Sequence, residues 1–311
     1  MLRWRVLLGT AIVAALVAMG LLDTYAPEGI LTGEGIMWLV PPGLWLLPAL
    51  VAFTVFATHE GLGLVRAGGL RPTGWIVHPA NLLIVLSPWL PTAVYLARGG
   101  ELPLPLPAFP GNLHGSWDWG LRVLAIATCL VLVVEVVRYE KPGGALANAA
   151  AGVLVMVYVG VMLYFAAAIR LDWGIRALAS WIITVKMGDV GAYTVGRLIG
   201  RHKLCPRLSP GKTIEGAVGA VVFACAGAWA SLAWLAPVAM ARHPWAWLPY
   251  GLVLGIAGML GDLAESMLKR DAGCKDSSRW MPGFGGVLDI LDSLLLSAPA
   301  AWLCWSLGLV P

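Results

Sequence analysis

Two carboxylates and a group of basic residues stand close together near the carboxyl end of the sequence. The stretch SMLKRDAGCKDSSRWMPGFGGVLDILDS, residues 266–293, places charged residues and a glycine-rich turn directly before an apolar segment. Asp289 and Asp292 lie at the start of that segment, on one face of a helix by their three-residue spacing. Because ionised groups are costly inside membrane helices, this stretch is a candidate functional site.

Further acidic residues occur in other apolar segments. On the topology predicted below, the following residues lie toward one side of the membrane: Asp189, Glu215, Asp262, Glu265, Asp289 and Asp292. Interhelical ion pairs with nearby Lys and Arg are one explanation. Acidic pairs on one helix face repel each other unless a cation lies between them, which favours a metal site. Without a nearby zinc-like His or Cys pattern, the oxygen ligands favour Mg²⁺, which takes one or two carboxylates with waters and substrate phosphates.

Two basic, glycine-containing loops adjoin these acids. They are GRLIGRHKLCPRLSPGKTIEG at 196–216 and KRDAGCKDSSRWMPGFGG at 269–286. Glycine lets backbone amides approach an anion closely, and Lys and Arg supply positive charge, so such loops are typical of phosphate binding. The combination predicts a site for a metal ion and a polyphosphate.

Two shorter motifs carry less information. SPGKT at 209–213 is similar to the end of a P-loop, but the position five residues before Gly211 is Pro206, and no strand is predicted there. The P-loop interpretation is therefore rejected. The GxxxG pattern of Gly196 and Gly200 is more typical of helix packing than of a binding site.

The composition is that of a membrane protein. Charged residues make up 12% and hydrophobic residues 59% of the 311 residues, and the mean hydropathy is +0.81. Soluble domains carry roughly 25% charged residues. The five cysteines are scattered without a CxxC pattern, which favours neither a disulfide framework nor a zinc site. Arg3 and Arg5 before an apolar run fit an uncleaved first span.

Apolar windows between polar or Gly/Pro breaks predict an all-α fold with about nine transmembrane helices. The windows are too long and evenly apolar for barrel strands. They are 4–22, 36–57, 76–97, 120–139, 146–168, 175–197, 214–237, 246–268 and 286–308. Residues 1–170 are predicted to be a scaffold of about five helices, and residues 171–311 to carry the catalytic motifs.

The distribution of basic residues predicts an N-in, C-out orientation. With the N-terminus inside, fifteen of the twenty-one Lys and Arg residues fall on the inner side and five on the outer side, while Lys186 lies within a span. The net charge of +4 therefore reflects loops at the inner face. It does not indicate a nucleic-acid-binding surface.

The motifs resemble those of the phosphatidate cytidylyltransferases, or CDP-diacylglycerol synthases. The pattern is S-x-x-K-R-x4-K-D followed by P-G-x-G-G-x-x-D-x-x-D. In this sequence it comprises Ser266, Lys269, Arg270, Lys275, Asp276, Pro282, Gly283, Gly285, Gly286, Asp289 and Asp292. The upstream block DVGAYTVGRLIGRHKLCPRLSPGKTIEG resembles the same family, so the resemblance covers about a third of the chain, residues 185–295.

Two positions depart from the family pattern. Phe284 stands where the family usually has His, and Ile290 stands where it usually has Arg. Both changes remove a group that could bind phosphate, and Arg279 is a candidate for compensation. Altered affinity or another lipid substrate are alternatives. The acidic positions are intact, so we expect an active enzyme.

The resemblance implies that CTP and phosphatidate react to give CDP-diacylglycerol and pyrophosphate. It implies Mg²⁺, with a second metal ion left open, held by Asp262, Asp289 and Asp292. The implied catalytic residues are Asp262, Ser266, Lys269, Asp289 and Lys212, and the implied substrate-binding residues are Ser209, Lys212, Thr213, Arg270, Lys275, Gly285 and Gly286. Such a reaction depends on alignment and charge neutralisation, with no covalent nucleophile.

The implied partners are CTP, phosphatidate in the inner leaflet and membrane lipids, in a multi-pass protein of the cell inner (cytoplasmic) membrane. A homodimer is left open. The alternatives within enzymes are a CTP-dependent polyprenol or phytol kinase and a CDP-archaeol-type synthase. A cation transporter would place its acids near the midplane in broken helices, which these residues do not match. Glu135, outside the motifs and near Arg138, is predicted to be structural.

Overall fold

The protein is nearly all-α, as the sequence predicts. A computed structural model describes residues 2–25, 30–31, 37–38, 43–90, 113–278, 280 and 285–310. Most of these residues are helical, and two short antiparallel hairpins account for the described strands.

Along the chain, the described helices and strands follow in a simple order. They are α1 (Leu2–Tyr25), β1 (Ile30–Leu31), β2 (Met37–Trp38), α2 (Leu47–Ala67), α3 (Gly74–Leu86) with a 3₁₀ turn (Ser87–Trp89), α4 (Leu113–Val137), α5 (Ala145–Val155), a π-helical segment (Met156–Val161), α6 (Met162–Ile199), β3 (Lys203–Cys205), β4 (Ser209–Thr213), α7 (Ile214–Leu235), α8 (Pro237–Arg242), α9 (Trp247–Asp271) and α10 (Val287–Ser306).

Six helical runs in the described residues are long and apolar enough to cross a membrane. They are Leu47–Ala67, Trp119–Val137, Ala145–Ile199, Ile214–Leu235, Trp247–Asp271 and Val287–Ser306. One crossing needs about 20 residues, so these runs identify a multi-pass membrane protein. The total of nine crossings and the N-in, C-out orientation stay predictions.

The longest of these runs is interrupted in its middle. The run Ala145–Ile199 has 55 residues, and Gly174 breaks its helical geometry with φ 84° and ψ −179°. The sequence predicts separate helices at 146–168 and 175–197, and the break lies between these two windows. The predicted windows 214–237, 246–268 and 286–308 match α7, α9 and α10 within a few residues at each end.

Helix α2 begins later than predicted, so the window 36–57 is wrong. Residues 43–46 form a turn, and Gly43 has φ +82° with its amide donating to Asp23 Oδ1 at 3.0 Å. The helix therefore starts only at Leu47, and it continues through His59 and Glu60 to Ala67. Glu60 is buried and His59 is exposed on this helix, whereas the predicted window ends before both of them.

The strict all-α prediction also needs correction in the first basic loop. Lys203–Cys205 pairs antiparallel with Ser209–Thr213, with Lys203 opposite Thr213 and Cys205 opposite Ser209. The sequence predicts no strand next to SPGKT. That expectation is wrong, because residues 209–213 themselves form β4 and pair with β3. The P-loop remains rejected, since a P-loop places its Gly-Lys in a loop between strand and helix, and Pro206 still replaces the first glycine.

The chain divides into two compact units. The first unit comprises Met1–Leu62, Leu70–Ile175 and Ser278–Val287, and the second comprises Gly63–Gly69, Arg176–Ser277 and Leu288–Pro311. The predicted division into a scaffold, residues 1–170, and a catalytic part, residues 171–311, stays a prediction. The sequence does not predict that Ser278–Val287 groups with the first unit.

Glycines let the helices of the second unit approach one another closely. A Cβ added to Gly251 of α9 would lie 2.5 Å from Cys225 Cα of α7. A Cβ on Gly219 of α7 would lie 2.6 Å from Val195 Cβ of α6. Small residues at such contacts are the usual means of packing membrane helices, and here they fix α6, α7 and α9 around the motif residues.

We expect Gly251→Val to destabilise the protein by about 3 kcal/mol, because its side chain would collide with the backbone of α7. Thermal unfolding in detergent micelles measures the effect. Gly63→Ala is the matched control, since nothing lies within 4 Å of a Cβ at Gly63, and we expect a change of about 1 kcal/mol at most. Equal unfolding temperatures for Gly251→Val and wild type would contradict the close packing.

Candidate functional site

Helices α9 and α10 pack together where their acidic residues begin. A Cβ on Gly261 would lie 2.5 Å from the carbonyl oxygen of Asp292 and 3.2 Å from Leu296 Cβ. Gly261 directly precedes Asp262, so the closest approach of the two helices brings Asp262 and Asp292 into the same region. The two carboxylates are close enough to repel each other electrostatically when both are ionised.

Lys269 joins two carboxylates at this contact. Its ammonium group pairs with Glu265, one turn earlier in α9, and with Asp289 Oδ1 of α10 at 2.6 Å. The Glu265 side chain is 0% exposed and the Lys269 side chain 13%. Since an unpaired buried charge is strongly unfavourable, Lys269 stabilises the ionised form of both acids.

Asp289 also binds the second basic loop. Its Oδ2 accepts hydrogen bonds from the Ser277 amide at 3.0 Å and from Ser277 Oγ at 2.6 Å. The carboxylate therefore fixes the loop relative to the first turn of α10. The sequence motifs do not single out Ser277, although its place between the two halves of the pattern was a usable signal.

Lys212 and Asp262 form a second ion pair. Lys212 Nζ, on β4, lies 2.8 Å from Asp262 Oδ2 on α9. Both side chains remain partly exposed, at 21% and 38% respectively. A predicted phosphate-binding residue and a predicted metal ligand thus lie side by side.

A third ammonium group comes from within a membrane helix. Lys186 of α6 donates to Asp189 Oδ2 at 2.9 Å, to Ser293 Oγ at 2.9 Å and to the carbonyl of Ile290 at 3.1 Å. Asp292 lies within range of the charges of Lys186 and Asp189. The sequence leaves Lys186 without a role, and the structure makes it the link between α6 and the start of α10.

The first basic loop is held by its own side chains. Glu215 accepts from the amide of Arg201 at 3.0 Å and contacts the ring nitrogen Nδ1 of His202 at 2.6 Å. Thr213 caps α7, its hydroxyl accepting from the Gly216 amide at 3.1 Å. Glu215 thus stabilises the start of the hairpin, and Thr213 stabilises its junction with α7.

Gly196 and Gly200 pack beside that junction. A Cβ on Gly200 would lie 2.6 Å from Thr213 Oγ1, and one on Gly196 would lie 3.1 Å from the same atom. The interpretation of this GxxxG pattern as a packing motif is confirmed.

Arg270 connects the two basic loops. Its guanidinium donates to the carbonyl of Leu208 in the hairpin turn and to the carbonyl of Cys274, both at 3.3 Å. Lys275 is exposed, and Ser266 and Ser209 are half-buried. These residues lie on or beside α9 and β4, but their predicted contacts with substrate stay predictions.

Gly285 and Gly286 belong to the segment that groups with the first unit. Gly285 has φ +83°, a conformation that side chains other than glycine rarely adopt. The backbone two residues before α10 therefore requires glycine at Gly285, and the turn predicted over Pro282–Gly286 stays a prediction. Arg279, Pro282, Gly283 and Phe284 lie outside the described residues.

Ion pairing between helices, the alternative to a metal site, accounts for part of this arrangement. We define the acidic cluster as Asp189, Asp262, Glu265, Asp289 and Asp292. Its ammonium partners are Lys186, Lys212 and Lys269. When all are ionised, five carboxylates against three ammonium groups leave two excess negative charges, which a divalent cation would balance.

The donor chemistry fits Mg²⁺ if substrate supplies further ligands. Among the described residues, no group of three or more His, Cys, Asp or Glu side chains is placed to hold a metal ion. Mg²⁺ sites commonly use one or two carboxylates and complete their coordination with waters and phosphate oxygens. Asp262 contacts Lys212 through Oδ2 and Asp292 accepts from the Ser293 amide through Oδ1, whereas both oxygens of Asp289 bind Lys269 or Ser277. Asp262 and Asp292 therefore fit that need better than Asp289.

Comparison with known sequences decides the family. The sequence profile of the cytidylyltransferase family matches residues 29–307, nearly the whole chain. The chain belongs to the cytidylyltransferase family. The resemblance that the motifs indicate is thereby confirmed, and it extends from a third of the chain to most of its length.

Three similar proteins are described as phosphatidate cytidylyltransferases. The phosphatidate cytidylyltransferase of Mycobacterium bovis is 30% identical over 305 residues, which cover 96% of this chain and 97% of the relative. The Mycobacterium tuberculosis protein of the same name is 30% identical and is covered to 91%. A phosphatidate cytidylyltransferase of Staphylococcus haemolyticus is 34% identical over 191 residues, 60% of this chain and 70% of the relative.

We expect Lys269→Met to lower the free energy of unfolding by about 3–5 kcal/mol, because Glu265 and Asp289 would lose the ammonium group that both contact, and a buried carboxylate must then lie unpaired or take up a proton. Denaturant unfolding in mild detergent measures this change. Adding Glu265→Gln to Lys269→Met removes one of the two carboxylates that lose their ammonium partner. The double variant should therefore recover part of the lost unfolding free energy. A double variant no more stable than Lys269→Met would contradict the pairing.

Proposed function

We propose that the protein transfers the cytidylyl group of CTP to phosphatidate, giving CDP-diacylglycerol and pyrophosphate for phospholipid synthesis. Membership of the cytidylyltransferase family, with relatives named phosphatidate cytidylyltransferase over 96% of the chain, carries this proposal. The acidic cluster beside two basic loops agrees with a reaction between a nucleoside triphosphate and a lipid phosphate.

The reaction needs orientation and charge neutralisation more than acid–base chemistry. A phosphatidate oxygen forms a bond to the α-phosphorus of CTP, and the bond from that phosphorus to the bridging oxygen breaks to release pyrophosphate. The attacking oxygen is already anionic, so it requires no strong base. Positive groups placed around the phosphates lower the barrier by offsetting charge and holding the reactants in line.

The acidic cluster is the proposed place for Mg²⁺. Asp262 and Asp292 would hold the ion, with Asp289 as a further ligand if Lys269 yields its place on that carboxylate. Bound Mg²⁺ would neutralise triphosphate charge and align the α-phosphorus. A second metal ion remains an alternative within this proposal.

The basic residues are the proposed phosphate ligands. Lys212, whose ammonium group already faces Asp262 at 2.8 Å, would bind the triphosphate next to the ion. Lys269 holds Asp289 in position, and Ser266 lies on α9 between Asp262 and Lys269. The remaining proposed contacts to substrate come from Ser209, Thr213, Arg270, Lys275, Gly285 and Gly286. Thr213 would act through its backbone and its cap of α7, because its hydroxyl accepts from Gly216.

The proposed location is the bacterial inner membrane, with nine crossings and the N-terminus in the cytoplasm. The positive-inside distribution of Lys and Arg supports that orientation. It would place the basic loops where CTP is available and where a lipid phosphate of the inner leaflet can enter from the side.

Differently labelled CTP tests the function. The purified protein is incubated with Mg²⁺ and phosphatidate, using CTP labelled at the α-phosphate in one reaction and at the γ-phosphate in another. The proposed reaction transfers only the α label to lipid and releases the γ label in pyrophosphate. In a parallel reaction with a polyprenol or phytol in place of phosphatidate, transfer of the γ label to that alcohol with release of CDP would identify a lipid kinase. Replacing phosphatidate by an archaeol phosphate tests the remaining alternative.

We expect Asp289→Asn to abolish turnover without unfolding the protein. A neutral amide ligates Mg²⁺ poorly but keeps the shape and can still accept a hydrogen bond. The α-label assay measures turnover, and thermal unfolding checks the fold. Glu135→Gln is the matched control, since Glu135 is a buried carboxylate on α4 outside the motifs, and its effect should be mild. Near-normal activity of Asp289→Asn at saturating Mg²⁺ would contradict the metal assignment.

We expect Lys212→Ala to lower kcat/KM for CTP by about a hundredfold, in the range typical for loss of a charge-stabilising group. Arg66→Ala provides the comparison, because Arg66 is an exposed basic residue at the end of α2. An equal effect of the two substitutions would mean that Lys212 only helps to set the membrane orientation.

A further inference from the structure

A buried glutamate of the first unit binds both Trp280 and the first residue of α10. Glu60 lies on α2, and its residue is only 4% exposed. Its Oε1 accepts a hydrogen bond from the Trp280 indole N–H at 2.8 Å and from the Val287 amide at 3.1 Å. These donors are 220 and 227 residues away in sequence, so the contact is a tertiary one.

Helix α2 contacts Trp280 through a second side chain, Phe56. Phe56, one turn before Glu60, stacks on the ring of Trp280 with centroids 4.9 Å apart. The indole is therefore fixed through its face by Phe56 and through its N–H by Glu60. The predicted window 36–57 includes Phe56 but ends before Glu60, whereas both residues lie on α2.

The carboxylate of Glu60 lies at the N-terminus of α10, where the helix stabilises a negative charge. Val287 is the first residue of α10, and its amide is one of the donors that the helix itself cannot satisfy. A carboxylate at a helix N-terminus is stabilised by the helix dipole. A charge buried in an apolar helix without such partners would be costly, so these donors explain how Glu60 is tolerated.

The same contact limits what the turn before α10 can bind. The Val287 amide is occupied by Glu60, so a phosphate at this turn must use other groups. Gly285, with its positive φ, lies two residues before the Val287 amide that Glu60 binds. Asp289 follows Val287 by two residues in α10.

We propose that Glu60 is a positioning residue: its carboxylate fixes Trp280 and the first amide of α10, and so holds the Gly285–Gly286 turn in the conformation that binds the nucleotide phosphates. This inference rests on the proposed function for the identity of the nucleotide. It assigns a role in the reaction to the N-terminal helices, which carry none of the sequence motifs.

Four variants separate this role from simple packing. Glu60→Leu removes the acceptor, whereas Glu60→Gln keeps an Oε1 that can accept from both donors. Trp280→Phe removes one donor and keeps an aromatic ring for Phe56. Glu135→Leu is the matched control, since Glu135 is also a buried glutamate of the first unit, 8% exposed, and lies on α4.

Three measurements are made on each variant of the full chain in detergent. The first is hydrogen exchange of the 280–290 peptide, with a peptide of α4 as internal reference. The second is the affinity for CTP, and the third is the kcat and KM of cytidylyl transfer. We expect Glu60→Leu to increase exchange in 280–290 alone, and to weaken CTP binding and raise KM for CTP about tenfold or more. Glu60→Gln should stay within about threefold of wild type, and Trp280→Phe should fall between them.

Several outcomes would overturn the assignment. Increased exchange in 280–290 with unchanged CTP affinity would show that Glu60 only packs the segment. Glu60→Gln as impaired as Glu60→Leu would show that hydrogen-bond acceptance is not the reason. Equal effects of Glu60→Leu and Glu135→Leu would point to general destabilisation. If Glu60→Leu does not fold, Trp280→Phe decides, since wild-type CTP affinity in that variant would contradict the role.

The proposed reaction can fail separately from this inference. A wild-type protein that binds CTP but transfers no label to phosphatidate would overturn the proposed reaction. In that case the CTP affinities of the variants alone decide whether Glu60 positions the turn. A wild-type protein that does not bind CTP would overturn both.

Discussion

Charge pairing within apolar helices is the constraint on which the second unit depends. Glu265 is fully buried, and Lys269 is the ammonium group that contacts both it and Asp289. Each carboxylate needs its partner because water is not available to solvate it. The contacts that keep these charges paired also bring α9, α10 and the Ser277 loop together. Stability and the arrangement of the site therefore have the same origin.

Close helix packing supplies the second requirement. Gly251, Gly255, Gly258 and Gly261 recur every three or four residues along α9, on the face that meets its neighbours. The acidic and basic residues of the motif begin directly after this series, at Asp262. Without side chains on that face, α10 can approach until its backbone touches α9 at Asp292. The glycines thus determine how near the carboxylates of the two helices come to one another.

The sequence predicts some parts of this arrangement well. Long apolar runs with clear polar limits identify α7, α9 and α10, because a membrane-spanning helix needs both length and continuous apolarity. The acids and lysines of the cluster are recognisable because ionised groups inside such helices are rare. Their individual pairings are not predictable, since Lys269 and Lys212 could each reach several acids until the packing of the helices is known.

The start of α2 and strand β4 are not predicted from the sequence, because local turn and strand geometry decides both. The predicted window 36–57 ends just before Glu60, whereas α2 runs from Leu47 to Ala67. Because the residues after Gly43 form a turn, α2 begins and ends later than predicted. Glu60, expected in a loop, is therefore a buried residue of α2. Strand β4 is missed because Pro210 and Gly211 disfavour a strand by propensity. In the protein the hairpin partner Lys203–Cys205 compensates for that preference.

The membership of Ser278–Val287 in the first unit has a consequence for biogenesis. The ribosome synthesises Glu60 long before its two hydrogen-bond donors, which follow 220 and 227 residues later. At translation rates of roughly 5–20 residues per second, that interval is about 10–45 seconds. During this time α2 enters the membrane with its carboxylate lacking both donors. The first unit is complete only after Val287 has been synthesised, so its assembly cannot follow the order in which its helices emerge.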